Sequence, residues 1–117
     1  SEVFVSYREY RISDGSSYKE WRNELGLFHR EDGPAQICYN PDGSIGWEEF
    51  CMDGEYHRES GPALIYYNLD GSIEIGYFYV AGELLGDDEE GFWALWEKLT
   101  EVQRQAPDIL RYLSRYS

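Results

Sequence analysis

One seven-residue element occurs twice at a fixed spacing, and that spacing limits what this chain can fold into. His29-Arg30-Glu31-Asp32-Gly33-Pro34-Ala35 returns 28 residues later as His57-Arg58-Glu59-Ser60-Gly61-Pro62-Ala63. The same offset relates Asp14-Gly15-Ser16, Asp42-Gly43-Ser44 and Asp70-Gly71-Ser72, and also Gly26, Gly54 and Gly82. Shared periodicity of this kind marks a repeat architecture, in which each unit is a supersecondary structure that buries its apolar face against a neighbour. Where a third His-Arg element is due, the chain reads Leu85-Gly86-Asp87-Asp88-Glu89-Glu90-Gly91. A decayed last copy is the mark of a capping unit.

Each unit reads as two strands and two turns. Ala35 to Tyr39 and Ala63 to Tyr67 are short aromatic and β-branched runs. Asn40-Pro41-Asp42-Gly43-Ser44 and Asn68-Leu69-Asp70-Gly71-Ser72 follow them, and their Asp-Gly pairs supply the positive φ of a tight hairpin. Return strands are expected over Ile45 to Cys51 and Ile73 to Val80, then second turns at Asp53-Gly54 and Ala81-Gly82. Pro34 and Pro62 belong at strand starts, where a missing N–H costs little. Upstream, Val3 to Ile12 and Tyr18 to Asn23 read as one more pair of strands around Asp14-Gly15, with Val3, Val5 and Tyr7 alternating.

With Asp42-Gly43 as the turn, Ile37 faces Glu48 and Cys38 faces Trp47; in the next hairpin Leu64 faces Tyr77 and Tyr66 faces Ile75. Apolar side chains then point to both faces of the sheet, so one face needs a cover. The last third of the chain supplies it. Phe92, Leu95, Trp96, Leu99 and Val102 recur at helical spacing after an acidic stretch that suits a helix N-terminus. Pro107 ends that helix or opens the next, whose apolar side carries Ile109, Leu110, Leu113 and Tyr116. The expected fold class is α+β: an antiparallel meander of about six or seven strands built from tandem hairpin repeats, with C-terminal helices packed on one face. Its length of 117 residues fits a single domain, with the meander over 1–86 and a helical cap over 87–117.

The unit Trp21…Gly26…His29-Arg30-x-x-Gly33-Pro34-Ala35…Asp42-Gly43-Ser44 resembles an uncharacterised repeat of bacterial, phage and large-virus proteins. It is also loosely similar to MORN-type repeats, and the resemblance covers roughly residues 14–86. MORN proteins are mostly scaffolds and lipid or protein binders. The resemblance therefore implies a binding role and no catalytic residues.

Residue chemistry points the same way. The repeated His29 and His57 fall on hairpins about 10 Å apart, too far to share one zinc ion, and no Cys-x-x-Cys or His-x-x-x-His spacing is present. Neither a metal nor a cofactor is expected. There is no Gly-x-Ser-x-Gly and no phosphate-cradling glycine loop, so no catalytic residue is assigned and an enzyme is not expected. His29, Arg30, Gly33 and Pro34, with His57, Arg58, Gly61 and Pro62, are read as structural: the arginines tie down turns through carboxylates and carbonyls. Cys38 and Cys51 are expected as half-buried free thiols in a reducing cytoplasm, because the hairpin register sets Cys38 opposite Trp47 instead.

Charge is the most informative remaining feature. The formal net charge is −13, which argues against direct binding of nucleic acid or an anionic membrane. No apolar run is long enough for a membrane span, and cytoplasmic localisation is expected. Residues 31–97 hold sixteen acidic side chains and one basic one, Arg58. Such a surface fits a partner protein with a basic groove, of which a nucleic-acid-handling enzyme is the most concrete case. The chain would then imitate that enzyme's substrate, as a phage-type inhibitor does. The expected contacts are Asp53, Glu55, Glu59, Asp70, Glu74, Glu83, Asp87, Asp88, Glu89 and Glu90. The competing expectation is a passive scaffold that oligomerises through its aromatic sheet face.

Overall fold

A computed structural model describes residues 4–117; Val3, expected within the first strand, lies outside the described residues. The fold is α+β. Its main sheet is a fully antiparallel meander of seven strands: β1 (Ser6–Arg11), β2 (Ser17–Arg22), β3 (Gln36–Tyr39), β4 (Ile45–Glu49) and, beyond a small excursion, β7 (Leu64–Tyr67), β8 (Ile73–Val80) and β9 (Glu83–Asp87), paired in that order. The excursion is a separate hairpin, β5 (Cys51–Met52) and β6 (Glu55–Tyr56). Two helices follow, α1 (Asp88–Lys98) and α2 (Pro107–Tyr116), with a short 3₁₀ turn at Gln103–Gln105 between them.

Turn chemistry fixes the register. Gly43 and Gly71 both have φ of 89°, and each donates its N–H to the carbonyl of the Asn three residues back. Asp42 and Asp70 do not share the positive φ. These are three-residue loops with a single left-handed glycine, and a separate bulge in each return strand, opposite the Cys38/Tyr39 and Tyr66/Tyr67 steps, shifts the pairing by one residue. Cross-strand pairs are Ile37 with Glu48, Cys38 with Trp47, Leu64 with Tyr77 and Tyr66 with Ile75, as the sequence predicts. The second turns are of another kind. Asp53-Gly54 and Ala81-Gly82 each have two consecutive positive φ values, the two-residue turn whose twist matches its strands.

The strand expected over Ile45 to Cys51 divides. β4 ends at Glu49, Phe50 donates its N–H to Ala63, and the Cys51 carbonyl accepts from Arg30. The chain leaves the sheet there to pair with the loop before β3. Both cysteines are free, as expected, but at 3% exposure each they are fully buried, not half-buried.

The apolar core joins β8 to the helices. Phe78, Phe92, Leu95, Leu99 and Ile109 form one buried cluster, and the Phe78 ring meets those of Phe92 and Tyr112 edge-on. Val102 is not part of α1: the helix stops at Lys98 and Val102 is 83% exposed. On α2, Leu110 faces solvent and Tyr112 takes the apolar place assigned to it. The reason is rotational: with Ile109 and Tyr112 packed in the cluster around Phe78, the helical period turns Leu110 away from it. None of the described helices is long and apolar enough to cross a membrane.

Candidate functional site

The repeated His-Arg elements are joints between neighbouring loops. His29 is 3% exposed, and its Nδ1 accepts the Asp53 backbone N–H at 2.9 Å; His57 accepts the Ala81 N–H through Nδ1 at 2.8 Å. Each imidazole thus holds the following two-residue turn. Each bond also requires a neutral Nδ1, so the remaining proton sits on Nε2. The buried His29 Nε2 has no hydrogen-bond partner among the described residues.

Arg30 and Arg58 act one residue later. Through NH1 each donates to the carbonyl of the proline four residues on, Pro34 at 3.2 Å and Pro62 at 3.1 Å. Their Nε groups reach Asp32 and Ser60. The sequence gives no notice that each guanidinium also lies on an aromatic ring, Arg30 at 3.7 Å from the Trp21 centroid and Arg58 at 3.8 Å from Phe50. One signal was available: each ring closes the return strand that precedes the His-Arg element. Gly33 and Gly61 are packed beneath these guanidinium groups, and a Cβ at Gly33 would come within 2.9 Å of Arg30 Cζ.

Two concavities lie beside these joints. A groove of about 600 Å³ runs between the two repeat loops, lined by Arg30, Asp32, Phe50, His57, Arg58 and Glu59. A second, of about 400 Å³, separates the sheet from α2 and is lined by Glu48, Tyr67, Ile73, Arg58 and Arg111. Tyr67 donates its hydroxyl to Glu48 there, and burial, with that bond second, pushes its phenol pKa up. Ser60 also lines the first groove, where its hydroxyl accepts from Arg58 Nε at 3.3 Å, and His57 Nε2 stands 3.5 Å from Glu59. Burial raises the thiol of Cys51 to about 12 and that of Cys38 in the same direction, so neither is an activated thiolate. Among the described residues no group of three or more His, Cys, Asp and Glu is placed to hold a metal ion.

The candidate acidic residues do not converge on one spot. Asp53, Glu55 and Glu83 lie in or beside the two-residue turns, where the Glu55 side chain lies against Gly82 and Asp53 accepts from Asn23 Nδ2 at 2.9 Å. Asp70 is at the opposite end of β8, about 25 Å away by strand rise, and Glu74 is near it. Glu59 accepts from Gln103 Nε2 at 2.9 Å. Asp87 ends β9, while Asp88, Glu89 and Glu90 form the first turn of α1. Two of these have structural partners: Asp88 Oδ1 accepts the Gly76 N–H at 2.9 Å, and Glu89 accepts from Trp93 Nε1 at 3.2 Å.

The sheet also carries a feature that reading the strands one at a time does not reveal. Residues paired across an antiparallel ladder share a face. On the face opposite Phe78, Tyr10, Tyr18, Cys38, Trp47, Tyr66 and Ile75 are therefore one straight row, a residue from each of β1, β2, β3, β4, β7 and β8. The rings touch along it: Tyr10 stacks on Tyr18 at 5.2 Å, Tyr18 meets Trp47 at 6.0 Å, and Trp47 meets Tyr66 at 6.3 Å. Beside this row runs a polar one of Arg8, Glu20, Gln36, Glu49, Leu64, Tyr77 and Asp87.

Comparison of the chain with family models, curated proteins and solved structures gave no match.

Proposed function

We propose that this chain is a non-catalytic protein-binding module, built from tandem 28-residue hairpin units and capped by helices on one sheet face, that engages a partner with a basic surface. The supporting observation is the fate of Arg58. It is the only cation between residues 31 and 97, against sixteen acidic side chains, and its guanidinium is engaged with Phe50, Ser60 and the Pro62 carbonyl. Nothing within that stretch offsets its negative surface. An uncompensated potential of this kind attracts basic grooves and repels nucleic acid and anionic lipid.

The most concrete form is inhibition of a nucleic-acid-handling protein, in the manner of a phage-type nucleic-acid mimic. The test is competition: a nucleic-acid-binding enzyme captured from the native host at low salt should lose its DNA or RNA as this protein is added. Captured proteins whose nucleic-acid binding is unaffected would overturn the mimic reading. A second reading, a MORN-like scaffold that self-associates, draws on the aromatic row. Salt separates the two, because charge-driven docking weakens steeply with ionic strength and apolar self-association does not.

A further inference from the structure

We infer that the aromatic row is the docking face for the basic partner, and that it takes an extended segment rich in arginine or lysine, lying across the strands. This rests on the reading of a basic partner and specifies where and how it binds. The row is about 24 Å long, five strand spacings. Its rings are half-buried, and Tyr66 is 38% exposed. The chain itself shows what such a ring accepts: the Arg8 guanidinium lies 4.6 Å from the centroid of Tyr10, closing the β1 end. Tyr18, Trp47 and Tyr66 are the rings left for cations from outside.

Charge selects the occupant. The three Asp-Gly-Ser turns close successive hairpins at the same end of the sheet, so Asp14, Asp42 and Asp70 recur every two strands, about 10 Å. Each uses Oδ1 to accept the backbone N–H of the Ser two residues on, and Asp42 and Asp70 accept that serine's hydroxyl as well. Along the other side of the row stands the exposed Asp87. An extended chain rises about 3.1–3.4 Å per residue, so every third side chain keeps pace with these aspartates, while the rings, 6.0 and 6.3 Å apart, are spaced more closely. Its cations can stack on the rings while facing the carboxylates. A second copy is a poorer fit, since both copies carry −13.

The probe is a peptide of repeated Arg-Ala-Pro triplets, titrated at low salt and followed by two-dimensional NMR, with a Glu-Ala-Pro peptide as control. Shifts should appear at Tyr18, Trp47 and Tyr66 for the basic peptide only. Trp47→Ala, or the more exposed Tyr66→Ala if the first does not fold, should weaken binding about tenfold. Affinity unchanged in a folded row variant, or shifts confined to the turns and α1, would overturn this placement and leave the basic-partner reading standing. No binding of the basic peptide by the wild-type chain would overturn the placement; both readings fail if basic proteins are also not retained at low salt. Self-association through the row, seen as doubled mass without peptide, would replace it with the scaffold.

Discussion

The Arg58 guanidinium lies 3.8 Å from the centroid of the Phe50 ring while its NH1 donates to the Pro62 carbonyl at 3.1 Å. One side chain thereby ties the end of β4 to the start of β7. Its side chain is 18% exposed, and burial, ahead of the opposing pull of Tyr112 and Asp108, lowers the guanidinium pKa. Because the group stays charged at any working pH, that cost is recovered only through its contacts.

Arg58→Ala is therefore expected to cost about 1–3 kcal/mol, from a charge-assisted bond and a stacked ring lost together. Arg58→Lys should recover less than half, since an ammonium cannot stack flat and reach two acceptors at once. Urea denaturation midpoints of the two variants measure this. Equal stability of Lys and Arg at this position would show that charge alone matters.

The glycines separate conformation from packing. At Gly43, φ is 89° and a Cβ would meet nothing within 4 Å, so Gly43→Ala should cost only the backbone strain, about 1 kcal/mol. At Gly91 a Cβ would collide with the Gly86 carbonyl and the Phe78 ring. Gly91→Ala must push α1 off β8, and a loss of several kcal/mol or failure to fold is expected. Thermal melts of the pair would reveal it, and similar Tm values would contradict the close helix–strand approach.

Glu49 gives a pH dependence with an unusual sign. Burial, opposed by the Tyr56 hydroxyl, raises its carboxyl pKa above the ordinary 4.5. A raised folded-state pKa means that the stability the group contributes is fully present below 4.5 and is lost as pH rises through the folded value. Ionised Glu49 is thus a burden at neutral pH. Glu49→Gln should raise Tm at pH 7, and the gain should vanish as the pH falls below the carboxylate range. A lower Tm at pH 7 would show that Glu49 has a partner worth more than its desolvation.

How much of this was legible depended on whether the information is local. Turn chemistry is local, so the hairpins close at Asp42-Gly43 and Asp70-Gly71, but Cys38 and Leu64 meet the partners of a two-residue turn only because a bulge beyond each three-residue loop makes up the difference. The three-residue loop was not foreseen, because the sequence does not distinguish one left-handed residue from two. Cys51-Met52 leaves the sheet although its side chains suit a strand, because the loop around Arg30 offers it backbone partners. Val102 and Leu110 fit the helical period but fall where the chain turns or faces solvent. The aromatic row needed all six strand registers at once, so inspecting one strand could not reveal Tyr10 beside Tyr18 or Trp47 beside Tyr66.

Asp88 is the residue that best separates structure from surface charge in the acidic run. Its φ is 43°, a left-handed conformation that non-glycine residues rarely adopt, and its Oδ1 accepts the Gly76 N–H at 2.9 Å across to β8. The side-chain bond holds the bend that carries β9 into α1. Asp87 ends the strand exposed, and Glu90 lies exposed in the first helical turn, where a carboxylate contributes about 0.3–1 kcal/mol through the helix dipole. Asp88→Ala loses the acceptor and strains the backbone, so a cost of about 1–3 kcal/mol is expected, while Asp88→Asn should restore most of it because asparagine tolerates this conformation and keeps an acceptor oxygen. Asp87→Asn with Glu90→Gln should leave the Tm within a few degrees and weaken binding to a basic partner. The measurement is a Tm and an affinity on each variant. Full stability of Asp88→Ala would mean that the Gly76 contact does not hold the bend, and undiminished binding by the Asp87/Glu90 variant would place the partner away from the start of α1.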